Sequence, residues 1–527
     1  MSVKQISVFG VAWLLTAISL SGATDAPLAD AAEIMDGKSI RALLQQSFGK
    51  PHYALDVNAS QVDGMTALHW AAHHDNLEIA QLLVRSGATV NAANRYGVTP
   101  LSLACTNGNG AMVNLLLDAG ADPNTTLPGG ETALMTAART GRLGPIKALL
   151  SRGADVHGTV HGMGRQEGAG ANAFIARMAD STIFDFQTKA AQTALMWATA
   201  EGHAEVVEEL IKAGAEYKAP LASGFTPLLF AVREGHMKVV QTLVKSGADI
   251  NQTIDSHPDW QHPGYDARLR PGSSPLHMAV ENGHFELAAY LIEAGANPNA
   301  ADPTGYTALH AISTARKVAL GDANPPPKPT GNMTSLEFIN KLAAHGANLN
   351  ARMKKGQRNW DSRQFKTWPG TTPFLLAVQT ADIELMKTLT KLGANPLLRN
   401  ENNKTALMLA GRTTGTEEEV VQTMQLAPNL GVEIDAIDEN GETAMHAAAY
   451  KNRPEVIMFL ADKGARIEVW NRKNKFGVTP LAIAVGHRKP RGFRPQPKSE
   501  AAIREVMIAA GLTPPTTFNF PDTPPVY

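Results

Sequence analysis

The chain has 527 residues, a formal net charge of −1 and 6% aromatic residues. So nearly neutral a chain has no overall basic field for nucleic acid or an anionic membrane surface. Its only cysteine, Cys105, excludes an intrachain disulfide and lies far from the N-terminus, where a lipid would be attached.

Lys4, an apolar run from Ile6 to Leu20 and the small residues Ser21-Gly22-Ala23 form a secretory signal pattern over residues 1–23. The run is too short for a comfortable membrane span. Export is expected, to a periplasm or outside the cell, with no membrane span once the signal is removed. A second cleavage point lies after Ala31. Pro27-Leu28-Ala29-Asp30-Ala31-Ala32, however, reads as a helix start, with Ile40, Leu43 and Leu44 as a second helix and Asp56-Val57-Asn58-Ala59 as a closing turn. Cutting after Ala31 would destroy that first helix, which favours Ala23 and makes residues 24–59 a degenerate capping unit. An exported protein without disulfides suits a bacterial periplasm better than a eukaryotic extracellular space.

Between Thr193 and Asn251 one pattern is written twice, 33 residues apart. Thr193-Ala194-Leu195, Gly202-His203, Val206-Val207, Leu210-Ile211 and Gly214-Ala215 are followed by Thr226-Pro227-Leu228, Gly235-His236, Val239-Val240, Leu243-Val244 and Gly247-Ala248. Thr226 can cap a helix through its hydroxyl, and Pro227 fits the first turn, where its missing N–H costs nothing. Leu228, Leu229 and Ala231 make one apolar side, Gly235-His236 turns the chain, and Val239, Val240, Leu243 and Val244 recur at the spacing of a second amphipathic helix. Gly247 suits the left-handed conformation that ends it.

A fixed period of this length with a Thr-Pro-Leu-His-x-Ala type signature resembles the ankyrin repeat. The resemblance implies an all-α solenoid of helix-turn-helix units with β-hairpin fingers, running over residues 60–511. A helix pair of this kind closes its core only against the next pair, so the chain is expected to be one continuous array. Its capping residues are Thr66, Thr99, Thr132, Thr193, Thr226, Ser274, Thr307, Thr372, Thr405, Thr443 and Thr479, eleven copies beyond the degenerate one.

The gaps between caps are 33, 33, 61, 33, 48, 33, 65, 33, 38 and 36, so each departure from the period measures an insertion. Residues 158–188, 253–272 and 352–369 fall between a Gly-Ala-Asp or Gly-Ala-Asn turn and the next cap, which in the family is the finger tip. Three elongated fingers are therefore expected along one edge. Pro-rich insertions at 315–333 and 486–498 fall between the two helices of a copy, on the opposite side. A Pro- and Thr-rich tail, residues 512–527, follows the last helix, expected from Ser499 to Ala510; Phe518 and Phe520 favour a strap over the last copy.

His69, His277, His310 and His446 recur at the His of the Thr-x-Leu-His pattern, and His203, His236 and His284 follow a Gly-His turn. All seven read as structural, hydrogen-bonding between neighbouring turns as the resemblance implies, and not as metal ligands. The Asp and Asn residues after each Gly-Ala read as turn formers, and Cys105 as inert packing.

The fingers escape the repeat constraint. Trp260, Tyr265, Arg268 and Arg270 of the second, with Arg358, Trp360, Arg363, Phe365 and Trp368 of the third, are candidate partner contacts, since Trp, Tyr and Arg dominate interfaces when desolvated. Packing of these rings into a small satellite core is the other reading. Six Lys or Arg residues against Asp361 in the third finger read as an electrostatic handle for an acidic partner surface or an anionic glycan, a plain solvated loop being the other reading. His257 and His262 with Asp255, Asp259 and Asp266 have no settled metal-ligand spacing. The first finger, with His157, His161 and Phe174, is expected to lead into a short helix near 173–179.

No nucleophile elbow, phosphate-cradling Gly-Lys-Ser/Thr loop, haem-attachment Cys pair or His-Glu-x-x-His appears. The expectation is an exported scaffold without cofactor or catalytic centre, monomeric, binding a protein and not nucleic acid. A small-ligand or metal sensor between the fingers and a secreted effector acting on host proteins are the alternatives.

Overall fold

The computed structural model describes residues 26–47, 55–159, 192–220, 224–254, 271–317, 330–355, 368–413, 415–487 and 494–518. Among them the regular structure is α-helical, with isolated antiparallel bridges Ser60 to Thr66, Thr126 to Thr132 and Ala301 to Thr307 at the feet of fingers. All eleven capping residues stand immediately before a helix. In nine of them the side-chain oxygen accepts from the backbone N–H three residues on. At Thr307 and Thr443 the hydroxyl instead meets His310 Nδ1 at 2.8 Å and His446 Nδ1 at 3.1 Å.

The chain divides into two compact units between Glu216 and Tyr217. In the first, the helices Pro27–Glu33, Ala67–His73, Pro100–Asn107, Ala133–Thr140 and Ala194–Ala200 stack in one layer. Leu77–Arg85, Gly110–Asp118, Leu143–Ser151 and Ala204–Lys212 stack in a second. In the second unit the first-helix layer runs from Pro227–Glu234 to Pro480–Val485, and the unit ends on the helix Pro497–Ala509.

The core lies between the layers. In the Thr66 copy Ala67, Leu68, Ala71 and Ala72 are buried from the first helix, and Ile79, Ala80 and Leu83 from the second. The small alanines let first helices approach closely, and the branched residues fill the space between layers. The degenerate copy lacks a side-chain cap at Ala26 yet buries Leu28, Ala29, Ala31 and Ala32. Cys105 is buried in the same way, and burial pushes its thiol up to about 12, which makes it a packing residue.

Neighbouring copies are joined by two hydrogen-bond systems. One is the histidine of the capping box. His69, His277 and His310 accept at Nδ1 from the capping residue, and Nε2 donates to Val98 O (3.0 Å), Tyr306 O (2.9 Å) and Thr371 O (3.2 Å) of the next finger. That geometry needs a neutral ring with its proton on Nε2.

The other system is an asparagine clamp four residues after the glycine that ends each second helix. Asn91 Nδ2 donates to Gly120 O at 2.9 Å, and its Oδ1 accepts from Asp122 N at 2.8 Å. Asn58, Asn124, Asn251 and Asn299 repeat this two-point contact. Asp435 replaces it with a carboxylate that accepts from Arg466 N and Nε. The Asn and Asp residues directly after Gly-Ala do form turns, as Asp122 does for Asn124 N; the residue two places further on makes the joint.

Two glycines are required by approach as well as by conformation. At Gly235, φ +75, a Cβ would come within 2.7 Å of the His284 ring. At Gly305, φ +81, it would meet Lys354 N at 2.8 Å, where that backbone donates to Thr304 O.

The Pro-rich insertion begins later than the sequence suggests, because the helix Ala308–Arg316 continues through Arg316 and the next starts at Ser335. In the Thr405 copy the first helix is shortened to five residues, Ala406–Ala410, the bend after it is longer, and the second helix, Glu417–Asn429, runs to thirteen residues. The tail does lie on the last copy at its described end. Phe518 packs on His487 with centroids 6.1 Å apart, and Arg504 Nη1 donates to Pro515 O.

Candidate functional site

Within each copy the first, second, fifth and sixth residues after the cap are mostly small or apolar and buried. The fourth and seventh change from copy to copy; the fourth is buried in most copies but half-buried at Leu103, Trp197 and Phe230. In the first unit they include Trp70, His73, Arg139 and Trp197; in the second, Phe230, Arg412 and Tyr450. A helix turn brings these two positions together.

In the first unit Trp70 Nε1 donates to Gln61 Oε1 at 2.8 Å, and its ring stacks on His74 at 5.7 Å with His73 edge-on at 5.6 Å. Gln61 Nε2 reaches Asp30 Oδ1 and Glu33 Oε2, tying the degenerate copy to this cluster. Burial, and the nearby His74, hold the His73 ring below its ordinary basicity. Further along the layer, the Arg139 guanidinium lies 5.5 Å from the Trp197 ring centroid and 3.2 Å from Glu131 Oε1. His203 Nε2 meets Arg139 O at 3.0 Å, which fixes that turn of helix from below. The result is two separate clusters, one around the buried Trp70 and one in which a fixed cation lies on the half-buried Trp197, the latter suited to anchoring contacts.

In the second unit the Arg412 guanidinium lies 5.0 Å from the Tyr450 ring centroid. Both converge on Glu442, which also accepts from Asn474 Nδ2 at 3.1 Å and lies 3.9 Å from Lys404 Nζ. Lys404 pairs with Asp438, whose other oxygen accepts from Asn440 N and Glu442 N and so shapes the finger turn. On the turn edge, Arg316 grips Asp382 through two nitrogens at 2.7 and 3.1 Å, and Lys317 Nζ meets Glu419 Oε1 at 2.7 Å. That lysine holds the Glu419 carboxyl below the usual range.

Of the finger residues singled out from the sequence, Trp260, Tyr265, Arg268, Arg270, Arg358, Trp360, Arg363 and Phe365 lie outside the described residues, as do residues 173–179. Trp368 is half-buried, and its carbonyl accepts from Thr371 Oγ1 at 2.6 Å. The feet of the second and third fingers share one geometry. Ile254 N donates to Ser273 O and Gly272 N to Ile254 O, while Met353 N donates to Thr371 O and Gly370 N to Met353 O. Ile254 and Met353 are both buried. Arg352, Lys354 and Lys355 are exposed at the third foot, with Arg352 Nη2 donating to Arg399 O. Among the described residues no group of three or more His, Cys, Asp or Glu is arranged to hold a metal ion.

Sequence reasoning passed over Trp70, Arg139, Trp197, Arg412 and Tyr450. Their signal was available: each is a large ring or a cation at a position of the period whose residue type changes from copy to copy.

Family models described as ankyrin repeats (three copies) match residues 28–127, 170–254 and 414–491, and a single ankyrin repeat matches 129–159 and 272–303. The chain belongs to the ankyrin-repeat family. Its ankyrin copies are 35% identical over 112 residues to the human transient receptor potential cation channel subfamily A member 1, covering 21% of this chain and 9% of that protein. They are 33% identical over 87 residues to the poly [ADP-ribose] polymerase tankyrase of Caenorhabditis elegans, 16% of this chain and 4% of that protein. Inversin of Canis lupus familiaris is 30% identical over 119 residues, 23% of this chain and 10% of that protein. The chain thus spans at most a tenth of the length of these curated relatives. Among solved structures, the human ASB11 ankyrin repeat domain is similar at 21% identity and a TM-score of 0.37, covering 54% of this chain and 99% of that domain. Ankyrin repeats serve generally as protein-interaction scaffolds.

Proposed function

We propose that this chain is an exported scaffold that binds another protein through its first-helix layers and finger insertions, without chemistry of its own. The observation that carries the reading is the Arg139–Trp197 pair. A cation is held over an indole by Glu131 and by the His203 contact, the Arg412–Tyr450 pair on Glu442 repeats the arrangement in the second unit, and most copies stack without either. Each such residue, desolvated at an interface, contributes on the order of 2 kcal/mol.

Export is supported by the N-terminal apolar run and by the helix Pro27–Glu33. This helix begins beyond Ala23 and would be cut by cleavage after Ala31. The exposed cations Arg352, Lys354 and Lys355 at the third foot favour an acidic partner surface.

The test compares partners recovered from a periplasmic extract by the parent chain, by Arg139→Ala/Trp197→Ala, and by a chain lacking residues 356–367. Loss of one defined partner with an unchanged melting midpoint upholds the reading. Equal recovery by all three defeats it. N-terminal sequencing of the exported protein decides the cleavage site, and cell fractionation separates a periplasmic scaffold from an effector released toward a host.

A further inference from the structure

Asn58, Asn124, Asn251, Asn332 and Asn403 each head an Asn-x-Ser/Thr tripeptide. This is the pattern on which a glycan is transferred to asparagine in secretory pathways that hold the transferase. Three of the five are clamp residues.

Asn58 Nδ2 donates to Gly87 O at 3.4 Å while Oδ1 accepts from Thr89 N at 2.7 Å. For Asn124 the partners are Gly153 O at 3.2 Å and Asp155 N at 2.7 Å. For Asn251 they are Gly295 O at 3.3 Å and Asn297 N at 2.8 Å. In every case the amide faces one short stretch of backbone, a carbonyl and the N–H two residues on. A planar amide reaches both only with the N–H that lies on the same side as its own oxygen. In a trans secondary amide that side is occupied by the carbon on nitrogen, as Cα is in a peptide bond, and the remaining N–H points away. An attached sugar therefore replaces the hydrogen that closes the joint, and its ring would stand where the next turn packs.

We infer that glycan transfer at Asn58, Asn124 or Asn251 and closure of the copy-to-copy joint exclude each other. The chain therefore closes these joints only where the three asparagines stay unmodified, as they do in a compartment that does not glycosylate asparagine. The inference rests on the clamp geometry and stands whether or not the chain is exported. Joined to export, it selects a route of the bacterial type. Asn332 is different, being exposed just ahead of the helix Ser335–Ala344, and a glycan there leaves every joint intact.

The experiment places the full chain behind a eukaryotic secretion signal in cultured secretory cells. A second chain carries Ser60→Ala, Thr126→Ala and Thr253→Ala. These residues are exposed, so the tripeptides are lost and the clamp asparagines stay. Both chains carry Asn403→Gly, at φ +59, to remove a site that is not a clamp residue, its side chain meeting Ile437 O and Arg399 Nη1.

Glycan occupancy is read by mass in the protease-resistant fraction. The triple variant is expected to be resistant and glycosylated at Asn332. The parent is expected to lose most of its resistant fraction, and whatever remains should carry bare Asn58, Asn124 and Asn251 at any yield. Resistant parent protein with a glycan on any of the three, or a triple variant lost as completely as the parent, would overturn the inference.

Discussion

Lys404 Nζ is seated on the Asp438 carboxylate, and neither side chain reaches solvent, with exposures of 5% and 0%. Removing one partner of such a pair leaves a buried uncompensated charge. Lys404→Met should therefore cost about 3–5 kcal/mol. The double variant Lys404→Met/Asp438→Asn should recover much of that, because the amide oxygen can still accept from Asn440 N and Glu442 N. Chemical denaturation of both variants checks the order; a double variant no more stable than the single would reject it.

Acid should loosen the second unit through two capping histidines. Burial holds His310 and His446 down to about 4, against an unfolded value near 6.5. The unfolded chain binds protons first, so stability is complete above about 6.5 and falls as pH drops toward about 4, by on the order of 3 kcal/mol per ring. His446 Nε2 makes no bond of good geometry to the next finger. Ser102 closes the same box in the Thr99 copy, accepting from Thr99 N at 2.8 Å. His446→Ser should thus cost little at neutral pH and shift the acid transition of the C-terminal copies downward, as followed by tryptophan fluorescence or hydrogen exchange.

The clamp position is occupied by Leu397 at one joint, where the side chain is 53% exposed and lies against Gly431. Leu397→Asn restores an amide opposite Gly431 and Glu433 and should stabilise that joint by about 1 kcal/mol; Asn91→Ala should weaken its own by a similar amount. Hydrogen exchange of the flanking turns measures both, and a Leu397→Asn chain that exchanges faster than the parent would contradict the assignment.

Glycine substitutions should separate conformational strain from collision. Gly393, φ +105, has nothing within 4 Å of the point where an added methyl would stand, whereas Gly305 has Lys354 N at 2.8 Å. Gly393→Ala should cost about 1 kcal/mol and Gly305→Ala clearly more, since backbone must move. Comparison of denaturation midpoints tests the ranking.

The repeat frame was legible from the sequence because cap, turn and helix-ending glycine act locally: Thr226, Gly235 and Gly247 do their work within a few residues. The family resemblance implied the bonding of the capping-box histidines between turns, and it holds for His69, His277 and His310 but not for His446 Nε2. What escaped reading depends on the neighbouring copy. Asn91 looks like any turn asparagine until Gly120 and Asp122 are placed beside it. Trp197 and Arg139 sit 58 positions apart in the chain and meet only because their helices are adjacent layers of one stack. The small excesses of the Thr405 and Thr443 copies could be measured but not located, because a longer second helix and the one-turn helix Ile467–Trp470 absorb them equally well on paper.

Arg453 shows how a copy outgrows its period without a longer finger. Its guanidinium, 8% exposed, donates to the carbonyls of Thr413, Gly415 and Thr416, the stretch where the Thr405 copy is over-long. Burial lowers the basicity of this group, which is the measure of how deeply the cation has been drawn in. Extra residues at such a bend strand oxygen atoms that no helix can pair, and a single five-donor fork from the following unit gathers them. Length polymorphism in an array of this kind is thereby tethered to whether the next module happens to bring an arginine.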